Sequence, residues 1–306
     1  MEERRRYTHS TQSIKQGDSM RTMHVGAVAF AMIWLLAGVK SIAQSVAVET
    51  MRDAYALLSP DEKQSFDAAG KAFGAGKHAE ALTAYKALLA AHVGDEFLSK
   101  MAAESAIETG DLKLALALIQ PIAARNPDDW QAAGLLTHAY AQMGDKEHRD
   151  AGMAHMDELY KRGLTPKGLD QYLLEKMPAG DRQVAVWHSF RPWGNFQVYD
   201  FARVFNSQGQ LVYRIELESP DFDQSVWAKQ NPEKAAAGGR MFTVDGYLIG
   251  PTNAAGQHTE THTTYALLDG RPTYDEVRTR FIAIAENKAS ALSKTVKTVQ
   301  EVPRQP

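Results

Sequence analysis

The chain has 306 residues, 44% of them hydrophobic and 23% charged, which is enough apolar material for two domains and excludes compositional disorder. A net charge of −3 provides no basic field, so nucleic acid is excluded as the main ligand. The absence of cysteine removes disulfide scaffolds, thiolate zinc sites, iron–sulfur clusters, cysteine nucleophiles and a lipid-modified N-terminal cysteine.

Val25–Val39 is an uncharged apolar run flanked by Arg21 and Lys40. A membrane-spanning helix needs about 20 apolar residues. The run has the size of a signal-peptide core, and Ser41-Ile42-Ala43 supplies a small-x-small cleavage site. Residues 1–43 therefore read as a signal-peptide region, with an uncleaved anchor or a buried helix as competing readings. Met1, Met20 and Met23 are alternative starts, because the latter two sit where the basic segment of such a peptide begins. Removing 1–43 takes away six basic and three acidic side chains and leaves a charge of −6. The expectation is a periplasmic or secreted protein without stable membrane insertion after cleavage.

Residues 44–178 read as a helical repeat domain. Gly76, Gly110 and Gly144 are spaced by 34 residues twice over, each between two helix-length amphipathic runs. Glycine there allows the left-handed backbone that reverses a chain in a short turn. Ala81 and Ala115 are small where two helices cross closely, and Tyr85 and Ile119 follow four residues later. Ser59-Pro60-Asp61-Glu62 is a capping box with proline at the first helical position, and Asn126-Pro127-Asp128-Asp129 follows the same logic. A leading helix is expected over 46–58, and a trailing one from Thr165-Pro166 through Met177.

At these residues the stretch resembles the tetratricopeptide repeat, with units near 62–95, 96–129 and 130–163. Arg149 departs from the pattern where the third unit needs a small residue. The resemblance implies a concave groove that receives a peptide or a segment of a partner protein. Its lining would be Lys63, Phe66 and Phe73 from the first unit. The second would supply Phe97, Lys100, Met101, Glu104 and Ile107, and the third Gln131, Leu135 and His138. The two-carboxylate clamp of chaperone-binding members is absent, since Phe66, Gly70, Met101, Gln131 and Leu135 occupy its positions. The alternative to the resemblance is a generic array of helical hairpins, and the alternative to a receiving groove is that the three repeats merely pack against the second half of the chain.

Pro178-Ala179-Gly180-Asp181 is read as the boundary, after which the period shortens to 2. Residues 183–188, 196–205 and 211–218 read as strands, the last two joined by the turn Asn206–Gln210. Pro220 and Pro232 each open a short helix. Residues 241–249 and 258–267 return to strand composition. Thr273-Tyr274-Asp275-Glu276 is a second capping box, opening a helix to about Val296 with a stripe of Val277, Phe281, Ile284, Leu292 and Val296. The expectation for 181–299 is an α+β domain of four or five antiparallel strands with a long C-terminal helix, followed by a mobile tail over 300–306.

Chemistry is sparse. Gly74-Ala75-Gly76-Lys77-His78 lacks the first glycine and the Ser/Thr of a phosphate loop. His258, Glu260 and His262 alternate on one strand and would share a face, the donor set of a zinc site or simply a solvated polar face. Trp193, on the turn Arg191-Pro192-Trp193-Gly194, is a candidate ligand-stacking residue or plain packing. Asp221, Asp223, Asp245 and Glu260 are carboxylates that spacing alone does not pair. No catalytic residue and no cofactor is nominated. The expected fold class is α+β overall, an α-solenoid of about three hairpins followed by an antiparallel α+β domain. The expected function is that of an exported adaptor or assembly factor for another envelope protein. The alternative is metal, glycan or hydrolytic chemistry in the second half.

Overall fold

The computed structural model describes residues 54–190, 196–251, 258–269, 272–288 and 297–303. The signal-peptide region and Trp193 lie outside the described residues, and of the leading helix expected over 46–58 only residues 54–58 are described, 54–57 of them helical.

Six helices run in succession as three hairpins: α1 (Pro60–Gly74), α2 (His78–Ala91), α3 (Glu96–Glu108), α4 (Leu112–Arg125), α5 (Trp130–Met143) and α6 (Lys146–Lys161). Gly76, Gly110 and Gly144 hold the reversals within the hairpins at φ of 74°, 80° and 72°, as their spacing predicts. The Ser59 capping box forms in both directions, with Ser59 N–H donating to Glu62 Oε2 at 2.8 Å. The cap of α5 is Asp129, which accepts from Gln131 N and Ala132 N, whereas Asn126 ends α4. Ala81, Ala115, Tyr85 and Ile119 are all buried, so small residues sit at helix crossings with bulky ones filling the adjacent gaps.

The third hairpin closes on a glycine of its own. A Cβ at Gly152 of α6 would lie 2.4 Å from Thr137 Oγ1 and 3.1 Å from its Cβ on α5. Gly152→Ala is therefore expected to cost about 1–3 kcal/mol by overpacking, outweighing the helical preference for alanine. Chemical denaturation of the two proteins measures this, and a stabilised variant would contradict the close approach.

The first difference from expectation follows α6. Residues 165–177 do not form a trailing helix; Gln171–Ala179 is strand β1. Gly180-Asp181 is the turn of a hairpin to β2 (Arg182–Ser189), with Ala179 opposite Arg182, and so is no domain boundary. The sheet continues through β3 (Phe196–Phe205), β4 (Leu211–Pro220), β5 (Met241–Ile249), β6 (Thr259–Asp269) and β7 (Lys297–Pro303). Each strand pairs antiparallel with its predecessor, giving a seven-stranded meander rather than four or five strands. Two helices, α7 (Asp221–Gln230) and α8 (Pro232–Ala236), lie between β4 and β5, and α9 (Tyr274–Ala285) between β6 and β7. The Thr273 capping box opens α9 as expected, but the helix stops near Asn287, which takes φ 59°. Leu292 and Val296 of the expected stripe lie outside the described residues. Residues 300–303, part of the expected tail, instead continue from 297–299 as a strand paired to the edge of β6.

The sheet has two differently occupied faces. On one, Val184, Val186, Ala202, Val204, Ile215 and Leu217 form a single core with Val277, Phe281 and Ile284 of α9 and with Met156 and Leu159 of α6. The last helical hairpin is thus part of the core of the α+β half, and the two expected domains share it. On the other face Ala185, Trp187 and Phe201 cluster with Leu173 and Phe205. Trp187 and Phe201 stack with centroids 5.4 Å apart, and the Arg203 guanidinium lies 5.1 Å from the Trp187 ring. Among the described residues no helix is long and apolar enough to cross a membrane.

Candidate functional site: a cavity between helices and sheet

Helix α3 carries Phe97, Lys100, Met101, Glu104 and Glu108 at three- and four-residue spacings, so one stripe faces one direction. Helix α5 presents Trp130, Gln131, Gly134, Leu135 and His138 in the same way. Strand β1 lies beside α5 and turns Leu173 and Lys176 toward these helices, with Ala185 and Trp187 following on β2. Between helices and sheet is a cavity of about 1020 Å³. Phe73 and His78 from the first hairpin form part of its wall, and its rim includes the turns at Gly180-Asp181 and Asn206–Gly209.

Eight of the eleven groove residues expected from the sequence line this cavity: Phe73, Phe97, Lys100, Met101, Glu104, Gln131, Leu135 and His138. Three do not. Phe66 is 2% exposed in the core of the first two hairpins, between the rings of Tyr55, Tyr85 and Phe97. Ile107 is buried among α3, α4 and α5. Lys63 lies over the Tyr55 ring, 5.3 Å from its centroid.

The polar groups of the cavity are organised in pairs. Lys100 Nζ donates to Asp129 and, at 3.3 Å, to Gln131 Oε1. Lys176 Nζ reaches both oxygens of Glu108, at 2.6 and 2.7 Å, and so ties β1 to α3. His78 Nε2 lies 3.7 Å from Glu108 Oε2. Burial pushes the His138 imidazole down to about 4, so it is neutral at neutral pH, and burial likewise lowers His78. Burial, reinforced by the neighbouring Glu108, pushes the Glu104 carboxyl up to about 7. Two side chains from β1 keep unsatisfied buried atoms, Gln171 Oε1 and the Tyr172 hydroxyl, as does His78 at Nδ1. Buried polar atoms without partners are uncommon and mark places where a ligand or water completes the set.

Sequence reasoning missed Glu108, Trp130, Gln171, Lys176 and Trp187. The first two share the spacing of the residues it found. Gln171 and Lys176 were hidden by the helical reading of β1, and Trp187 by the absence of any local signal for which sheet face meets the helices.

The His258, Glu260 and His262 set is paired internally. His262 Nε2 is 2.7 Å from Asp245 Oδ1, which also accepts from Thr264 Oγ1 at 2.6 Å, and the His262 ring stacks on Tyr247 at 4.6 Å. Glu260 is 3.3 Å from His258 Nε2 and accepts from Arg214 at 3.4 Å. Among the described residues no group of three or more His, Cys, Asp or Glu is placed to hold a metal ion. The carboxylates that sequence left unpaired separate accordingly: Asp245 is held by His262 and Thr264, and Glu260 by His258 and Arg214. The side chains of Asp221 and Asp223 lie outside the described residues.

No family model, no curated protein and no solved structure matches the chain.

Proposed function

We propose that this protein is a non-enzymatic binding protein of the exported, tetratricopeptide-like type, which receives an apolar segment of a partner protein in the groove of its helical hairpins. The observation that carries the reading is that eight residues nominated as groove lining from the repeat pattern surround one cavity. Its size matches ligand pockets, commonly about 300–1,000 Å³, and its walls mix aromatic and aliphatic surface with a few convergent polar groups. The sheet borders the groove without filling it, which supports a receiving site over a simple domain contact. Residues 1–43 support an envelope location through their apolar run and small-residue cleavage site.

The test is site-specific photo-crosslinking in cells, with the probe at Leu135 inside the cavity or at Val93, which is 88% exposed on the loop between α2 and α3. One protein captured from Leu135 and absent from Val93, with yield falling about tenfold in a Phe97→Ala/Glu104→Lys double variant, is the expected result. Equal capture from both positions, or none from Leu135, would remove the groove as the binding site.

A further inference from the structure

The cavity has an acidic group, Glu104, that neither of its lysines pairs with. Its cations are committed: Lys100 to Asp129, Lys176 to Glu108, and Arg182 to the carbonyl of Ala285 at 3.0 Å. Glu104 stands one helical turn from both Lys100 and Glu108 on the same stripe. Among the described residues it accepts no hydrogen bond and has no ion-pair partner. Apolar residues on the helical side of the cavity include Phe97 and Met101 from the same helix as Glu104 and Leu135 from α5. From the sheet side, Gln171 is 7% exposed and its amide oxygen is without a donor. An unpaired carboxyl group on the helical side and an unpaired carbonyl oxygen on the sheet side are both acceptors. Each is costly to bury unless a donor, preferably a charged one, arrives with the guest.

We propose that the cavity takes a protonated primary amine on an apolar stem, with Glu104 as its counter-ion. Resting on the binding reading above, this assigns the seated group as a lysine side chain of the received segment. An aliphatic stem lies against Phe97, Met101 and Leu135 while the ammonium meets the carboxylate, a division that lysine makes naturally. Binding also depends on pH. The groups facing or flanking Glu104 are Glu108 and Lys100 on its own helix, Tyr85 and His78 from α2, His138 from α5, and Lys176 from β1. Burial keeps Glu104 protonated up to about pH 7, so protons compete with the amine and affinity rises between pH 6 and pH 8.

The experiment titrates the full chain with n-hexylamine, n-hexanol and hexanoate, and with acetyl-Leu-Lys-Leu-amide beside its norleucine counterpart. Calorimetry and the fluorescence of Trp130 and Trp187, which line the cavity, report binding. At pH 8 the two amines are expected to bind about tenfold more tightly than their uncharged partners. Glu104→Gln, nearly isosteric, should erase that preference and flatten the pH dependence while leaving hexanol unchanged. Hexanoate binding best, an amine preference surviving in Glu104→Gln, or no amine binding at all would each overturn the proposal. The Leu135 crosslink then separates the two ideas: a retained partner keeps the groove reading and discards only the amine. Hexylamine binding without tripeptide binding would assign the site to a free amine and overturn the lysine assignment.

Discussion

Phe66→Ala is expected to destabilise the protein by about 3–5 kcal/mol, lowering the melting temperature by roughly 10 °C. Phe66 is 2% exposed and its ring is enclosed by Tyr55 at 5.7 Å, Tyr85 at 5.9 Å and Phe97 at 6.0 Å. Two of these contacts are edge-to-face, the arrangement that a ring quadrupole favours. Truncation leaves a void bounded by three aromatic rings on α2, α3 and the helical segment before α1, which rigid neighbours fill poorly. Phe97 supplies the internal comparison. It is 8% exposed and has the cavity on one side, so Phe97→Ala removes fewer contacts and should cost roughly half as much. Thermal melts followed by circular dichroism rank the two, and a larger loss for Phe97→Ala would reverse the assignment of core and wall.

The second large effect is at His188. Its Nδ1 lies 2.8 Å from Asp200 Oδ1 on β3 and its Nε2 lies 2.9 Å from Asp157 Oδ1 on α6, so one imidazolium joins helix to sheet. Burial by itself would depress the imidazole, but the hydrogen bonds and charges of Asp157 and Asp200 outweigh it and hold the group up at about 10. His188→Ala leaves Asp200 buried without its cation and is expected to cost about 3–5 kcal/mol. The sign of the pH dependence follows from the direction of the shift. A group raised in the folded state contributes its stability in full below its unfolded value near 6.5 and loses it as pH climbs through about 10. The wild-type melting temperature should therefore fall from pH 7 to pH 10 more steeply than that of His188→Gln. Parallel slopes for the two proteins would mean that the imidazole is not charged in the fold.

The helical half was legible because its signals are local. Glycines at a fixed spacing mark the reversals, and the Ser59 capping box marks the start of α1. A 3.6-residue period then groups Phe97, Lys100, Met101 and Glu104 on one side of α3. Phe66 and Ile107 were misplaced for the same reason: a stripe says which residues are apolar, not whether they meet space or the next helix. Strand β1 resisted reading because of its own irregularity. The register slips between Leu173 and Glu175, so Leu174 interrupts the alternation, and Tyr172, Leu174 and Glu175 are all buried in a pattern compatible with a helix. The pairing partners of His262 and Glu260, namely Asp245 on β5 and Arg214 on β4, come from other strands and are invisible to spacing along one strand.

Helical arrays are commonly open at both ends, and each hairpin leans only on its neighbours. Here the last hairpin is immobilised in the core of a sheet, and Lys176 bolts the middle hairpin to the same edge strand. Among the described residues the ties to the sheet are therefore uneven along the stack, made through the core by α6 and through Lys176–Glu108 by α3. The cavity wall bearing Gln171 and Lys176 belongs to the sheet itself, whereas the wall bearing Phe73 and His78 belongs to the hairpin farthest from it in sequence.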